Sequence, residues 1–376
     1  MRVGVLTTSY PRRPGDHAGA FVEDRVLRLL DEGHEVDVLA AGAGAPLGTT
    51  RVGRLSVTRL PASFASEPDL FAGAGAPEAL EAGARGALWA AARFSAELSA
   101  AARARAGGWG RVESHWLAPC ALAAVAGAPG LPHRATAHSG DVALLERLPF
   151  GRSLARLLAR SGAELVFVSE ALRARFAALA GVTVGDVVPA GDGAAWPPPR
   201  SHPQLGHRAA LGLSGPTVLS VGRLVPIKGF DLLVRACASR AGDRAPLTLV
   251  ILGDGPERER LQHLATRMGV DLRLPGFVPR PQVAEWLRAA DVYAQPSRVL
   301  PNGRTEGTPV ATLEALAAAI PVVASSSGGL AELATRGAPL HLVPTGDALT
   351  LAAVLRGLLA EPWNAFPERP AIVTSV

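Results

Sequence analysis

Short apolar runs and helical stripes alternate along the chain. "VGVLTTS" (3–9) is an unbroken run of the kind a strand shows when both faces are covered, and it stops at a Tyr-Pro step. "YPRRPGDHAG" (10–19) is a breaker-rich loop. In "AFVEDRVLRLLDEG" (20–33), Phe21, Val22, Val26, Leu29 and Leu30 share one helical face and Gly33 stops it. "HEVDVLAA" (34–41) is a second strand, so the chain opens with a βαβ unit, the building block of a parallel sheet. Residues 46–77 are rich in Gly, Pro and Ala and show no clear period. A long helix is expected over about 78–105. Strand "RVESHW" (111–116), helix 119–127, strand "HRATAHSGD" (133–141), helices over about 143–160, strand "AELVFVSE" (163–170) and helix 170–179 follow, and "TVGDVVPAGDG" (183–193) closes the half.

"AAWPPPRSHPQLGHR" (194–208) is proline-rich and polar. The pattern then restarts with strand "PTVLSVGR" (216–223), helix 229–239, strand "LTLVILGDG" (247–255), helix 256–268, strand "LRLPGFV" (272–278) and helix 281–289. Strand "DVYAQPS" (291–297), helix 309–318, strand "PVVASS" (321–326), helix 329–335, strand "LHLVP" (340–344) and helix 346–360 complete it. The expected class is α/β, with two doubly wound Rossmann-like domains. They span 1–193 and 214–360, with a linker at 194–213 and a short tail at 361–376. Ligands of such sheets bind beyond the carboxyl ends of the strands, so chemistry is sought in the loops that follow them.

Composition narrows the function. The formal charge is +5, but the arginines are scattered and lack interleaved aromatics, which argues against nucleic acid. Phosphorylated small molecules, or peripheral contact with an anionic membrane face, remain open. Cys120 and Cys237 are the two cysteines and lie far apart, so no disulfide framework is expected and a cytoplasmic setting fits. No stretch is long and apolar enough to span a bilayer.

Lys228 is the single lysine in a chain whose other permanent cations are arginines. It lies in "SVGRLVPIKGF", where Gly222 and Arg223 end a strand and Gly229 opens a helix. Arg223 and Lys228 can converge on one anion there, helped by the helix N-terminus. The alternative is two solvated cations on a loop. In "RTEGTPVATLEALAAAIPVVASSSGGLAEL", Glu306 is expected in a loop, Thr308 as a helix N-cap, Pro309 in the first turn and Glu314 in the second. The two carboxylates suit vicinal hydroxyls of a sugar or ribose, and the amides near 307–310 suit phosphate. A nucleotide-sugar carries both groups. Alone, Glu314 reads equally as a helix-face residue and Glu306 as a loop charge. "LGDGPERE" fits a dinucleotide fingerprint only at Gly253 and Gly255. The histidines, His115 among them, show no metal spacing, and no Asp-x-Asp pair suggests a metal-bridged diphosphate.

"VGRLVPIKGFDLLVRA", "LVILGDGP" and "EGTPVATLEALAAAIPVVAS", in this order, resemble the retaining glycosyltransferases of family four, which have the GT-B fold; the resemblance implies that the two domains face an interdomain cleft. "SYPRRPGDHAGAFVEDRVLRLLDEGHEVDVLA", "ESHWLAPC", "TAHSGD", "VFVSEAL" and "VPAGDG" resemble further landmarks, so the likeness covers most of residues 1–345. It implies a nucleotide-sugar donor (UDP- or GDP-linked), no cofactor, no metal, and an acceptor that is a lipid, a polysaccharide or a small molecule. It implies that Arg223 and Lys228 hold the donor diphosphate, Glu306 the sugar hydroxyls and Glu314 the ribose. Gly307, Thr308 and Pro309 supply backbone near sugar and phosphate, with Gly222 and Gly253 at the pocket edge. His138 corresponds to a histidine near the reacting centre, which alone would read as structural. Gly19 lies in a region that approaches diphosphate and acceptor. Two departures stand out. Ala319 replaces a usual glycine and fits comfortably only at negative φ. "LAEPWNAFPERPAIVTSV" has three prolines where the family adds a helix that crosses back. The competing readings are an NAD-dependent oxidoreductase and a non-catalytic partner of another transferase.

Overall fold

The computed structural model describes residues 1–13, 16, 19–62, 87–148, 150–188, 205–238, 247–301, 303–307 and 309–360. The chain divides into two compact units, Met1–Pro189 and Ala190–Val376.

The first unit holds an eight-stranded sheet in the order β3-β4-β2-β1-β5-β6-β7-β8. The strands are β1 Arg2–Thr7, β2 Glu35–Ala41, β3 Gly48–Val52, β4 Leu55–Leu60, β5 Arg111–His115, β6 His133–Ala137, β7 Glu164–Phe167 and β8 Asp186–Val187. All pairs are parallel except β3 with β4. Val3, Val5, Val36 and Val38 pack on Val22, Val26 and Leu29 of α1 (Ala20–Asp31). Leu6, Leu39 and Val112 face the other way, onto Phe94 and Leu98 of α2 (Ala87–Arg103). Alternate residues of each strand therefore bury on opposite faces, which explains the unbroken apolar runs. Each fully buried aliphatic side chain contributes about 1.5–3 kcal/mol.

The helical stretch expected at 119–127 is a wide turn, Leu117–Ala121, leading into α3, Leu122–Gly127. The helices expected over 143–160 are α4 Ser139–Arg147 and α5 Gly151–Arg160, and α6 spans Glu170–Ala180. The β3–β4 hairpin falls in the segment whose sequence shows no period. β3 is an exposed edge strand, so burial imposes no apolar pattern on it.

The second unit holds a six-stranded parallel sheet in the order β11-β10-β9-β12-β13-β14. Its strands are β9 Thr217–Val221, β10 Thr248–Leu252, β11 Asp271–Gly276, β12 Val292–Gln295, β13 Val322–Ser325 and β14 Leu340–Val343. Val218, Leu249, Ile251 and Val292 pack on α8 (Phe230–Ala236), α9 (Arg258–Met268) and α13 (Ala348–Ala360). Leu219, Val250, Leu252 and Tyr293 pack on α10 (Arg280–Ala289) and α11 (Val310–Ala317). α12 spans Gly328–Thr335.

Residues 205–213, expected in the linker, belong to the second unit instead. α7 (Leu205–Ala210) is tied down by Arg208, which donates to the Ala289 carbonyl at 2.9 Å and pairs with Asp291 at 2.8 Å. Leu213 is buried in the same core as α10. The helix is a short turn and a half, which the neighbouring prolines mask in the sequence. Residues 78–86, 194–204 and 361–376 lie outside the described residues. Among the described residues no helix is long and apolar enough to cross a membrane.

Candidate active site

Strand order reverses between β9 and β12 in the second sheet and between β1 and β5 in the first. Loops leaving two such strands part to opposite sides and leave a crevice, the usual place for a ligand in a doubly wound sheet. The candidate residues gather at these two points, one in each unit.

In the second unit β9 ends at Val221; Gly222 and Arg223 follow, the Arg223 carbonyl accepting from the Val225 N–H at 2.9 Å. The loop makes a 3-10 turn over Pro226–Lys228 and reaches α8 through Gly229 at φ +65°. A Cβ at Gly229 would lie 2.1 Å from the Pro296 carbonyl oxygen, so only glycine lets this loop rest on the one after β12. The Arg298 N–H donates to the Ile227 carbonyl at 2.9 Å, and the Arg298 side chain binds Asp231 at 2.7 Å. The two loops are thus locked together. Lys228 folds back over the strand end, where a Cβ at Gly222 would lie 2.9 Å from its Cε. Gly253, at the end of β10, packs on the Gly222 backbone just as closely, its own Cβ position 2.0 Å from the Gly222 oxygen.

Lys228 Nζ lies 2.7 Å from Glu306 Oε1, with both side chains mostly buried. The sequence places the lysine with Arg223 on one anion, opposite the glutamates; the structure pairs it with Glu306 directly. Neither charge has enough water to stand alone, so each compensates the other. The second carboxylate oxygen accepts from Gln295 Nε2 at 3.2 Å and from the Ser297 hydroxyl. Gln295 also donates to Ser297 at 2.8 Å and accepts from the Tyr293 hydroxyl at 2.7 Å. Tyr293, Gln295 and Ser297 alternate along β12 and its extension, so all three point to one face. Their sequence signal is three hydrogen-bonding residues at i, i+2 and i+4 in an otherwise apolar run.

Glu314 is buried in the second turn of α11, 3.3 Å from Arg280 Nε at the start of α10. Burial raises the Tyr293 phenol above its ordinary range, and the charges of Glu306 and Glu314 add to the rise. α11 begins at Val310, so Pro309 is the N-cap rather than a first-turn residue. Gly307 is half-buried between Glu306 and the helix start. Thr308 lies outside the described residues. Ala319 has φ +54°, the left-handed conformation that a glycine adopts freely, and not the negative φ expected of alanine.

In the first unit Gly19 caps α1 at φ +76°, and its Cβ position is 2.2 Å from the Ser9 carbonyl oxygen, so the chain folds onto the end of β1. Arg25, one turn beyond Phe21, holds α1 to β5 through two bonds to Glu113, at 2.8 and 2.7 Å. Phe21 then lies against His138, ring centroids 4.7 Å apart, and against His115 at 5.9 Å. His138 precedes α4; its backbone N–H donates to Asp141 Oδ2 at 3.1 Å, and the same oxygen accepts from the Leu117 N–H at 2.6 Å. His138 Nε2 and His115 Nδ1 are 3.4 Å apart, and Trp116 packs on His138 at 4.9 Å.

Burial holds the His138 imidazole well below its usual pKa, and the neighbouring His115 lowers it further. Burial also takes His115 down to about 4. Both rings are neutral at pH 7. Asp141 is pushed up to about 7 by burial, against the lowering effect of the backbone N–H groups it accepts from. Spacing alone left His115 without a role. The signal that finds it is position, at the end of the strand beside the switch point.

Residues 215–361 match the family described as "Glycosyl transferases group 1". This stretch is a glycosyl transferases group 1 domain. It contains Gly222, Arg223, Lys228, Gly253, Glu306 and Glu314. The chain is 33% identical over 225 residues to a GDP-mannose-dependent alpha-(1-6)-phosphatidylinositol monomannoside mannosyltransferase of Mycolicibacterium smegmatis, covering 58% of each chain. It is 37% identical over 188 residues to a D-inositol 3-phosphate glycosyltransferase of Jonesia denitrificans, covering 46% of this chain and 43% of that one. The chain thus spans about half the length of these curated relatives. Sucrose-phosphate synthase from Thermosynechococcus elongatus superposes with a TM-score of 0.71 at 20% identity, over 96% of this chain and 91% of that one. Anabaena HepE, solved with UDP-glucose, superposes with a TM-score of 0.64 at 20% identity, over 95% and 89%. The group 1 domain and its partner unit have the GT-B fold that the sequence implies.

Proposed function

We propose that the chain is a retaining, metal-independent glycosyltransferase that moves a hexosyl group from a UDP- or GDP-sugar to an acceptor hydroxyl. The observation that carries this is the Lys228–Glu306 pair at the switch point of a group 1 domain. Transfer breaks the bond between the anomeric carbon and a diphosphate oxygen. The sugar becomes oxocarbenium-like while negative charge grows on the leaving phosphate. A fixed ammonium aimed at that oxygen stabilises the transition state more than the ground state. Lys228 takes this role with Arg223, replacing a metal. As the lysine turns to phosphate, Ser297 and Gln295 keep the Glu306 carboxylate supplied with donors, and it accepts from the sugar hydroxyls.

Glu314 serves the ribose, and Gly222, Gly253, Gly307, Thr308 and Pro309 border the donor. His138 and the Gly19 turn, in the first unit, serve the acceptor. Burial keeps His138 neutral, so it offers hydrogen bonds there without carrying charge. The nucleotide-sugar is a substrate, and no cofactor takes part. The names of the relatives support GDP-mannose as donor and an inositol-bearing acceptor, free or lipid-linked; a lipid-linked one brings peripheral contact with the cytoplasmic membrane face.

The test is incubation with GDP-mannose or UDP-glucose and either inositol phosphate or phosphatidylinositol, followed by mass spectrometry. A product heavier by one hexosyl group is expected with one donor. No transfer from any nucleotide-sugar, together with hydride exchange on NAD, would overturn the reading in favour of an oxidoreductase.

A further inference from the structure

We propose that a cavity at the amino-terminal end of the first sheet binds an organic phosphate ester. It has a volume of about 690 Å³ and is lined by Arg2, Asp37, Thr49, Arg51, Ser56 and Arg105, among others. Arg2 opens β1, Asp37 lies near the start of β2 and Ser56 near the start of β4. The cavity therefore sits at the opposite end of the strands from Gly19, His115 and His138.

Its back wall is built rather than incidental. Trp109 Nε1 donates to Asp37 Oδ2 at 3.1 Å, and the indole lies on Gly4, where a Cβ would come within 2.5 Å of the ring. Asp37 is buried and already committed to Trp109, with Arg105 Nε 3.9 Å away. Arg105 spends its other nitrogens on the Ala101 carbonyl at 3.1 Å and, at 3.5 Å, on the Thr58 hydroxyl. Arg2 pairs with Glu35 at 2.7 Å, but both side chains are about half exposed, a setting in which an ion pair is weak and readily exchanged. Arg51 forms no hydrogen bond or ion pair with any described residue.

Arg51 thus offers its guanidinium to the cavity, with the exchangeable Arg2 beside it, while Asp37 is committed to the wall. Planar guanidinium forks match the oxygens of phosphate, and a cation is repelled. The volume is in the range that holds a whole small molecule, far more than bare phosphate fills. The Ser56 hydroxyl suits a hydroxyl of a polyol carrying that phosphate, and Thr49 Oγ1, 2.9 Å from the Thr58 hydroxyl, keeps one further hydrogen-bonding position for another. This chemistry is shared by a soluble phosphate ester and by the headgroup of an anionic glycerophospholipid.

The experiment uses the full chain. Calorimetry with glycerol 3-phosphate, and glycerol as control, tests the soluble source. Flotation on phosphatidylcholine vesicles with and without phosphatidylglycerol tests the lipid source. Binding is expected to at least one anionic probe and to neither neutral one. Arg51→Glu is expected to weaken it about tenfold or more, the scale of one hydrogen bond to a charged group, with nucleotide-sugar affinity unchanged. Arg152→Glu, an exposed change of equal charge on α5, is expected to leave it intact. Failure of both anionic probes to bind above their neutral controls would overturn the proposal. So would wild-type binding in Arg51→Glu, or an equal loss in Arg152→Glu.

Discussion

Replacing Lys228 with methionine removes the ammonium but keeps most of the stem that lies over Gly222. The Glu306 carboxylate, 15% exposed in its side chain, then retains Ser297 and Gln295 as donors but has lost the cation 2.7 Å away. Removing one partner of a buried ion pair costs about 3–5 kcal/mol. The two remaining donors and the residual exposure put this site at the lower end, about 3 kcal/mol. Glu306→Gln removes the other charge, and the double variant should recover part of the loss, giving a coupling of about 2 kcal/mol in urea unfolding. Catalysis should respond separately. Loss of one preorganised charge-stabilising donor lowers kcat about a hundredfold or more, read as release of nucleoside diphosphate. Lys228→Arg should restore stability better than turnover, because a guanidinium is planar and bulkier than the ammonium that fits beneath the strand end. Wild-type turnover in Lys228→Met would refute the catalytic reasoning, and strictly additive stability changes would refute the pairing.

Gly222→Ala puts a methyl 2.9 Å from Lys228 Cε and holds an alanine at φ +158°, so turnover and melting temperature should both fall. Gly229→Ala instead meets the Pro296 carbonyl at 2.1 Å and forces a left-handed alanine, so a loss of more than about 2 kcal/mol is expected in chemical denaturation. Ala319→Gly should raise stability by up to about 1 kcal/mol, seen as a higher melting temperature, because φ is +54° there. His115 stays neutral in the folded chain down to about pH 4, whereas the unfolded chain takes up its proton near pH 6.5. Its stabilising contribution is full above that pH and is lost as pH falls toward 4, by about 1.4 kcal/mol per pH unit. In His115→Gln, unfolding followed between pH 7 and 5 should show a shallower slope.

Buried strands were legible because both faces are covered: neighbours Val218 and Leu219, and Val250 and Ile251, are apolar on both sides of the sheet. The edges that matter were legible too, since Gly222, Lys228 and Gly229 punctuate a strand end with residues that nothing in a core requires. The β3–β4 hairpin was not, because an exposed edge strand is free of the burial that writes a pattern. α7 was hidden by its brevity and by the prolines that precede it. The Tyr293–Gln295–Ser297 line and the His115–His138 contact escaped for another reason. Each depends on which strand lies beside which, and that order is a long-range property. Ala319 shows the same limit in one residue: the turn between α11 and β13 imposes a left-handed φ that the alanine itself does not favour.

The central claim is that the Lys228–Glu306 corner holds a nucleotide-sugar diphosphate. Calorimetric titration of GDP-mannose, UDP-glucose and NAD into the full chain and into Lys228→Met tests it most directly. The prediction is saturable binding of a nucleotide-sugar to the wild type, at least tenfold weaker in the variant, and no binding of NAD. Equal affinity in both proteins, or binding of NAD alone, would contradict it.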